Sequence, residues 1–528
     1  MSRTRKPLLV IGLDAAEPSL VETWAAAGEL PALAGIMARG QYRRLASPAW
    51  MSTGPVWPCF YAGTSPASHG RFFFRQLEGG TYRIVKKRAD DINAVPFWME
   101  LTKQGARVAV VDVPKTFPIP DAATVQLVGW GVHSAAWPAS SWPGDLLGQV
   151  ATTVGQHPVP NCDEVNLQSV DDYRRFTEDL VEGIARKQAL ATRLLDDGPW
   201  DMFLVVFSEA HCSGHRLWHL HDESHPDHSP GMRQVLGDPL LQVYRRLDAA
   251  IGALIDAAGD VSVVVFSPHG MGPNYGASHL LPQVLQRLGL DGSDPDRRST
   301  VRLRLARRAG TLRNRLIERV PDWFVRAIRR SMPATAWDAL TTRLLSVGNA
   351  WSRSSAFCVP GDFAGAIRIN LQGREPAGTV KPGAEFEAMC DSVTSEMMAL
   401  RELDSGVPAV REVVRVADVY SGTHLDQLPD LIVRWNDERP FAGLVSPAIG
   451  EIRGTLSEPR SGEDRSDGFL AIADCPDLET RPLSPSADLM DLAPTITELL
   501  GLRTAGPFDG RSLIADRPGS TPEESGRQ

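Results

Sequence analysis

Three histidines recur at four-residue spacing in the stretch FSEAHCSGHRLWHLHD: His211, His215 and His219. On a helix that spacing stacks imidazoles on one face, where their nitrogens can share a transition-metal ion. Glu209 stands just ahead of them, where the apolar run 203–207 gives way to the helical pattern. Two other corners carry residues of the same kind. Asp14 closes the apolar run LLVIGL, and His269 follows VSVVVFSP. Ligands of open α/β sheets gather just beyond the C-terminal ends of buried strands. Asp14 lies too early to cap the helix expected from Pro18, so we read it as functional, and we read His269 as a ligand or proton donor. Hydroxyls come from the stretch SPAWMSTGPVWPCFYAGTSPASHG. A Ser or Thr on a tight turn beside metal ligands is how a metal-activated nucleophile is presented. Spacing alone does not choose among Ser47, Ser52, Thr53 and Thr64, and most hydroxyls in such turns only bond backbone.

The elements that must position these groups alternate strand and helix. The run 8–13 reads as a buried strand, followed by helices at 18–26 and 30–39. A helix at 95–104 and strands at 107–113 and 124–129 give the rhythm of a parallel sheet. Residues 137–159, containing Pro and Trp, read as a surface excursion. A long amphipathic helix at 170–195 returns the chain to the His-bearing strand. Beyond it, HDESHPDHSP reads as a polar loop whose His221, His225 and His228 face solvent or substrate. A periodic helix covers 240–258. A second α/β segment follows: a strand at 366–370, a helix at 382–403 and a strand at 429–435. The stretch 460–474 reads as an acidic, Gly-punctuated turn running into a strand, and 490–502 as a helix.

Arginines crowd residues 294–345, interleaved with apolar residues at helical spacing. Such an insertion suits an anionic substrate or surface, and a solvated helical face explains it as well. We expect one α/β domain of residues 1–293 and 346–516, this Arg-rich helical insertion, and a disordered tail at 517–528. A chain of 528 residues exceeds what one core usually supports, which leaves two domains as the other reading. The 55 basic and 64 acidic residues give a net charge of −9, which argues against nucleic-acid binding as such. The apolar run before Asp14 is too short for a signal sequence or a membrane span, so we expect it to be a first strand and expect no transmembrane segment. Six scattered cysteines without a CxxC pair point to neither a disulfide framework nor a cysteine zinc site, and fit the cytoplasm.

In order along the chain, VIGLDAAE, LPALAGIMARG, PVWPCFYAGTSPASHG, FSEAHCSGHRLWHLHD, SPHGMG, INLQGREPAGTVKPG, PDLIV, DLAPTITELLGL and FDGRSL resemble the alkaline phosphatase superfamily. The branch they resemble is the type I phosphodiesterase/nucleotide pyrophosphatase one, over nearly the whole chain. The resemblance implies a three-layer α/β/α fold with a central, mostly parallel sheet. It also implies divalent metal ions, zinc first and manganese or iron as alternatives, and a Thr or Ser nucleophile that is phosphorylated and then hydrolysed.

The family register puts the nucleophile on Thr53, the first metal-binding Asp on Asp14, and the conserved histidines of two motifs on His215 and His269. Three positions depart from the pattern. The Asp of the DxxxH pair is His211, the Asp of S-D-H-G is Pro268, and the late His falls on Asp464. One metal site would then be His211, His215 and Asp464. The other would keep Asp14, Thr53 and His269, with Glu209 the residue available to replace the lost carboxylate. The implied activity is hydrolysis of a small phosphate ester, of diester or nucleotide-pyrophosphate type, through a Thr53 phospho-enzyme. Sulfate or phosphonate ester hydrolysis, group transfer, or a pseudoenzyme with an incomplete second site are the alternatives.

Overall fold

Long runs of Val, Ile, Leu and Phe build the central strands. The run LLVIGL becomes β1 (Leu8–Leu13), with every residue buried. The computed structural model describes residues 6–87, 91, 94–132, 138–292, 351–454, 456, 459–503 and 507–515, so the expected insertion at 294–345 and the tail at 517–528 lie outside the described residues. Further strands are β2 (Gln41–Leu45), β3 (Val108–Val111), β4 (Thr124–Val128), β5 (Ser140–Trp142), β6 (Met202–Phe207), β7 (Ser262–Ser267), β8 (Gly270–Pro273), β9 (Gly462–Arg465) and β10 (Gly468–Ala473). Eight of them form one sheet in the order β2-β10-β7-β1-β6-β3-β4-β5. The inner pairs run parallel, and β10 and the edge strand β5 run antiparallel to their neighbours.

Strands buried on both faces need a helical layer on each. Leu9, Ile11, Phe203 and Val205 face a core shared with helices α1 (Pro18–Ala26), α2 (Pro31–Arg39), α4 (Val170–Asp196), α5 (Glu209–His221) and α6 (Pro239–Ala258). Leu8, Val10, Leu204 and Val264 face the other core, with α3 (Val56–Ala62) and the helix Leu492–Leu499. This is the expected three-layer α/β/α arrangement around a mostly parallel sheet.

Contacts divide the described chain into two units. The first, just described, comprises residues 1–71, 88–275 and 457–528. The second, residues 72–87 and 276–456, is built on an antiparallel sheet of Ala356–Val359, Gly365–Ile369, Leu431–Trp435 and Val410–Arg415. The helix Ala384–Met398 accompanies that sheet.

Two local readings change. The stretch 137–159 is not a mere surface excursion: β5 pairs with β4, and Leu146–Thr153 is a helix. Pro143 follows a three-residue edge strand, a place where proline is tolerated. The stretch 460–474, expected as a turn running into a strand, holds β9 ahead of β10, and β9 pairs with β8 so that Asp464 stands opposite Met271.

Candidate metal centre

Helix α5 begins where β6 ends, and its first two turns present His211 and His215 in the core of the first unit, 6% and 0% exposed. Strand β9 lies against this helix at a point where neither backbone carries a side chain. A Cβ on Gly462 would sit 2.2 Å from the Gly214 carbonyl oxygen. The close approach permits two cross-links, Ser461 N–H donating to the His215 carbonyl at 2.8 Å and His215 Nδ1 lying 2.7 Å from the Gly462 carbonyl oxygen.

That second bond sets the tautomer. A carbonyl oxygen only accepts, so the hydrogen is assigned to Nδ1 of His215 and the lone pair to Nε2. His211 Nε2 lies 3.1 Å from this Nε2, and Asp464 Oδ1 lies 3.6 Å from His211 Nε2. The three donors lie within 4.8 Å of one another. Four ligands held tetrahedrally about 2.1 Å from zinc are separated by roughly 3.4 Å. The two measured separations bracket that value. A two-imidazole, one-carboxylate set therefore fits zinc, and its chemistry also suits iron or manganese.

Asp464 joins this set to a second group. Its Oδ1 lies 3.5 Å from His269 Nδ1, and His269 Nε2 lies 3.4 Å from Asp14 Oδ1. Trp57 Nε1, on α3, donates to the same Asp14 oxygen at 2.9 Å. Burial pushes the Asp14 carboxyl up, but His269, His211 and Trp57 outweigh it and hold it well below the usual carboxylate range. Burial likewise opposes charge on His269, and Asp464 and Asp14 outweigh it, raising that imidazole above its ordinary value. Thr53 sits in the turn leading into α3, and its carbonyl accepts from Lys115 Nζ at 2.5 Å. Ala15, Asp112 and Lys115, just beyond β1 and β3, adopt left-handed backbone with φ of 57°, 57° and 61°. Such strain concentrates at functional sites.

Glu209 turns elsewhere. Its Oε1 lies 3.0 Å from His157 Nε2 and 3.7 Å from Lys187 Nζ, and Lys187 lies 3.2 Å from Asp112 Oδ2. Lys187 also donates to the carbonyls of Gly131 and Val206, tying together the ends of β4, β3 and β6. The buried ammonium draws Glu209 into this network, and the convergent donor group forms without it. Sequence reasoning missed Lys187, Asp112, His157, Lys115 and Trp57. Lys187 carried a signal, a basic residue on the apolar face of an amphipathic helix, whereas the others carried none. His225, assigned to solvent or substrate, is buried and stacked on Tyr275 with centroids 5.6 Å apart.

A sheet of this topology, flanked by helices and carrying imidazole and carboxylate donors at its strand ends, defines an alkaline-phosphatase-like phosphoester hydrolase. Within that class the chain belongs to the type I phosphodiesterase/nucleotide pyrophosphatase family, whose model matches residues 8–439. Members of this family are metal-dependent, typically on zinc. Among solved structures, phosphonoacetate hydrolase from Sinorhizobium meliloti in complex with phosphonoformate is similar at TM-score 0.53 and 14% identity, over 94% of this chain and 95% of that one. Human ectonucleotide pyrophosphatase/phosphodiesterase 5 is similar at TM-score 0.46 and 12% identity, over 97% of this chain and all of that one (100%). No curated protein matches the chain. No helix among the described residues is long and apolar enough to cross a membrane.

Proposed function

We propose that the protein hydrolyses a phosphate diester or nucleotide-type pyrophosphate through a covalent phospho-enzyme on Thr53, with one zinc ion held by His211, His215 and Asp464. The observation that carries this reading is the convergence of those three donors, with the His215 tautomer set by the Gly462 carbonyl. When bound, the cation supplies positive charge that lowers a hydroxyl pKa and stabilises the non-bridging phosphoryl oxygens. Thr53 Oγ attacks phosphorus and forms the P–O bond as the leaving oxygen departs. The threonyl phosphorus still carries its second ester arm, and water cleaves the bond between it and Thr53 Oγ, releasing the phosphate monoester and returning a proton to the hydroxyl. Trp57 orients Asp14, and Asp14 and Asp464 flank His269, which holds a proton beside the leaving group. Lys115 fixes the backbone of the nucleophile turn. The six cysteines are unpaired, in keeping with a cytoplasmic location.

The test is Thr53→Ala, assayed on aryl phosphodiester, monoester and sulfate substrates, with metal content read by plasma mass spectrometry. The expected outcome is one equivalent of zinc in both proteins and loss of diester turnover only in the variant. Near-wild-type turnover in the variant rejects the nucleophile. Absence of bound metal in protein purified without added metal, with added metal failing to bind, rejects the centre.

A further inference from the structure

Arg216 follows His215 on α5 and is 4% exposed. Its Nη2 donates to the Val165 carbonyl at 2.7 Å, while Nε and Nη1 are buried with no hydrogen-bond partner. Among the described residues no carboxylate lies within ion-pair distance of it. A guanidinium that never loses its charge, buried with three N–H donors idle and no counter-ion, is costly unless an anion arrives from outside.

The surroundings suit that arrival. His219 is the next residue but two, on the neighbouring ridge of the same helix. Its Nδ1 lies 2.9 Å from Ser461 Oγ, and that oxygen also accepts the His219 backbone N–H at 3.3 Å. The serine hydrogen is therefore assigned to Nδ1, over the longer 3.4 Å contact with the His215 carbonyl, and Nε2–H is left as a donor. Burial, then the neighbouring His225, pushes the His219 pKa down to about 4, so the imidazole is a neutral donor beside the arginine charge. The half-buried Tyr173 ring packs edge-on to His219 with centroids 5.5 Å apart, at the surface end of the group. The Arg216 charge acts on both Tyr173 and His219, and the Asp227 carboxylate acts on both with the opposite sign.

We propose that Arg216, with Nε2 of His219 beside it, is an oxyanion subsite that takes a second negatively charged group of the substrate, a phosphate or carboxylate. It rests on the phosphoesterase reading and narrows it. His215 and His219 are one helical turn apart, about 6 Å along the axis. The favoured substrates are thus esters that carry a second anionic group beyond the scissile phosphorus, and diesters with a neutral arm are disfavoured.

The experiment compares p-nitrophenyl phosphodiesters whose second arm ends in methyl or in carboxylate, on the metal-loaded wild type and Arg216→Met. The expected result is that the ratio of kcat/KM, anionic arm over neutral arm, falls at least roughly tenfold in the variant, mainly through KM. An unchanged ratio overturns the proposal. A second measurement needs neither turnover nor the variant: calorimetric titration of wild type with tripolyphosphate and with inorganic phosphate. Tripolyphosphate should bind at least roughly tenfold tighter, since it reaches both positions, and equal affinities overturn the subsite. If no ester is hydrolysed at all, the function fails while this binding comparison still reads the subsite. If inorganic phosphate binds twice in wild type and once in Arg216→Met while the kinetic ratio stays put, the site holds a free ion and the substrate assignment is overturned.

Discussion

Gly462 is the position where a single methyl group reports whether α5 and β9 jointly build the metal centre. A Cβ there would lie 2.2 Å from the Gly214 oxygen, 3.0 Å from its carbon and 3.2 Å from Trp218 Cβ. Real Cβ atoms essentially never come closer than 3.0 Å, so helix and strand must separate by 3.0 − 2.2, about 0.8 Å. The obstacle is backbone on both sides, and no rotamer change relieves it. His211 and His215 ride on the helix and Asp464 on the strand, so the opening falls across the donor set. Ligand positions tolerate about 0.2 Å. Two cross-links, Ser461 N–H to the His215 carbonyl and His215 Nδ1 to the Gly462 carbonyl, stretch with it. We expect Gly462→Ala to cost about 1–3 kcal/mol of stability. Its zinc affinity should fall roughly 10- to 100-fold, as when a ligand-orienting partner is removed. Competition against a chromophoric chelator measures the affinity, and circular dichroism with thermal melting establishes that the variant is folded. A folded variant that binds zinc within about twofold of wild type would refute the reasoning, because the donors would then not depend on this approach.

Two further outcomes follow from buried charge. Lys187→Met leaves Asp112 and Glu209 buried without their ammonium and should cost about 3–5 kcal/mol in urea unfolding, with part regained when both carboxylates are also made amides; a loss under about 1 kcal/mol would show that the network is not held by this charge. Burial raises the Asp488 pKa from 3.8 to about 6, so the folded state binds this proton more tightly than the unfolded chain, and stability declines as pH rises from about 4 through 6. The loss above that window is about 3 kcal/mol. Asp488→Asn, which keeps an acceptor for the Met490 N–H, should therefore raise stability at pH 8 and change it little at pH 3.5, and an equal effect at both pH values would contradict the assignment.

Much of the first unit was legible because its strands are buried on both faces. Such strands read as unbroken apolar runs, and Leu8–Leu13, Met202–Phe207 and Ser262–Ser267 fall within or close to the runs that announce them. The long helices α4 and α6 were equally plain from their period. Strand β9 was not. Its residues Gly462, Glu463 and Asp464 are buried yet polar or without a side chain, so neither hydrophobicity nor alternation marks it. The direction of Glu209 was also unreadable. The family register made it the carboxylate available to complete the set of Asp14, Thr53 and His269, whereas the side chain answers to a lysine on α4 and to His157 in a segment with no pattern at all.

The departures from the family pattern become intelligible once Asp464 is placed. Exchanging Asp for His at 211 and His for Asp at 464 leaves the count of imidazoles and carboxylates unchanged, but moves the carboxylate to the strand facing the helix. There Asp464 Oδ1 lies 3.6 Å from His211 and 3.5 Å from His269, so one carboxylate adjoins both imidazole groups. The lost carboxylate at 268 has no such compensation. Pro268 offers no donor, and its corner is closed by backbone, since a Cβ on Gly468 would lie 2.2 Å from the Ser267 oxygen and 3.0 Å from the Pro268 carbonyl carbon. In the function proposed above, Asp14 and His269 therefore act as a proton-sharing pair. The bond from Trp57 and the raised pKa of His269 fit that role. Under the proposed function, the exchange would concentrate cation binding on α5 and β9 and leave the Asp14–His269 pair to act as acid and base in the Thr53 step.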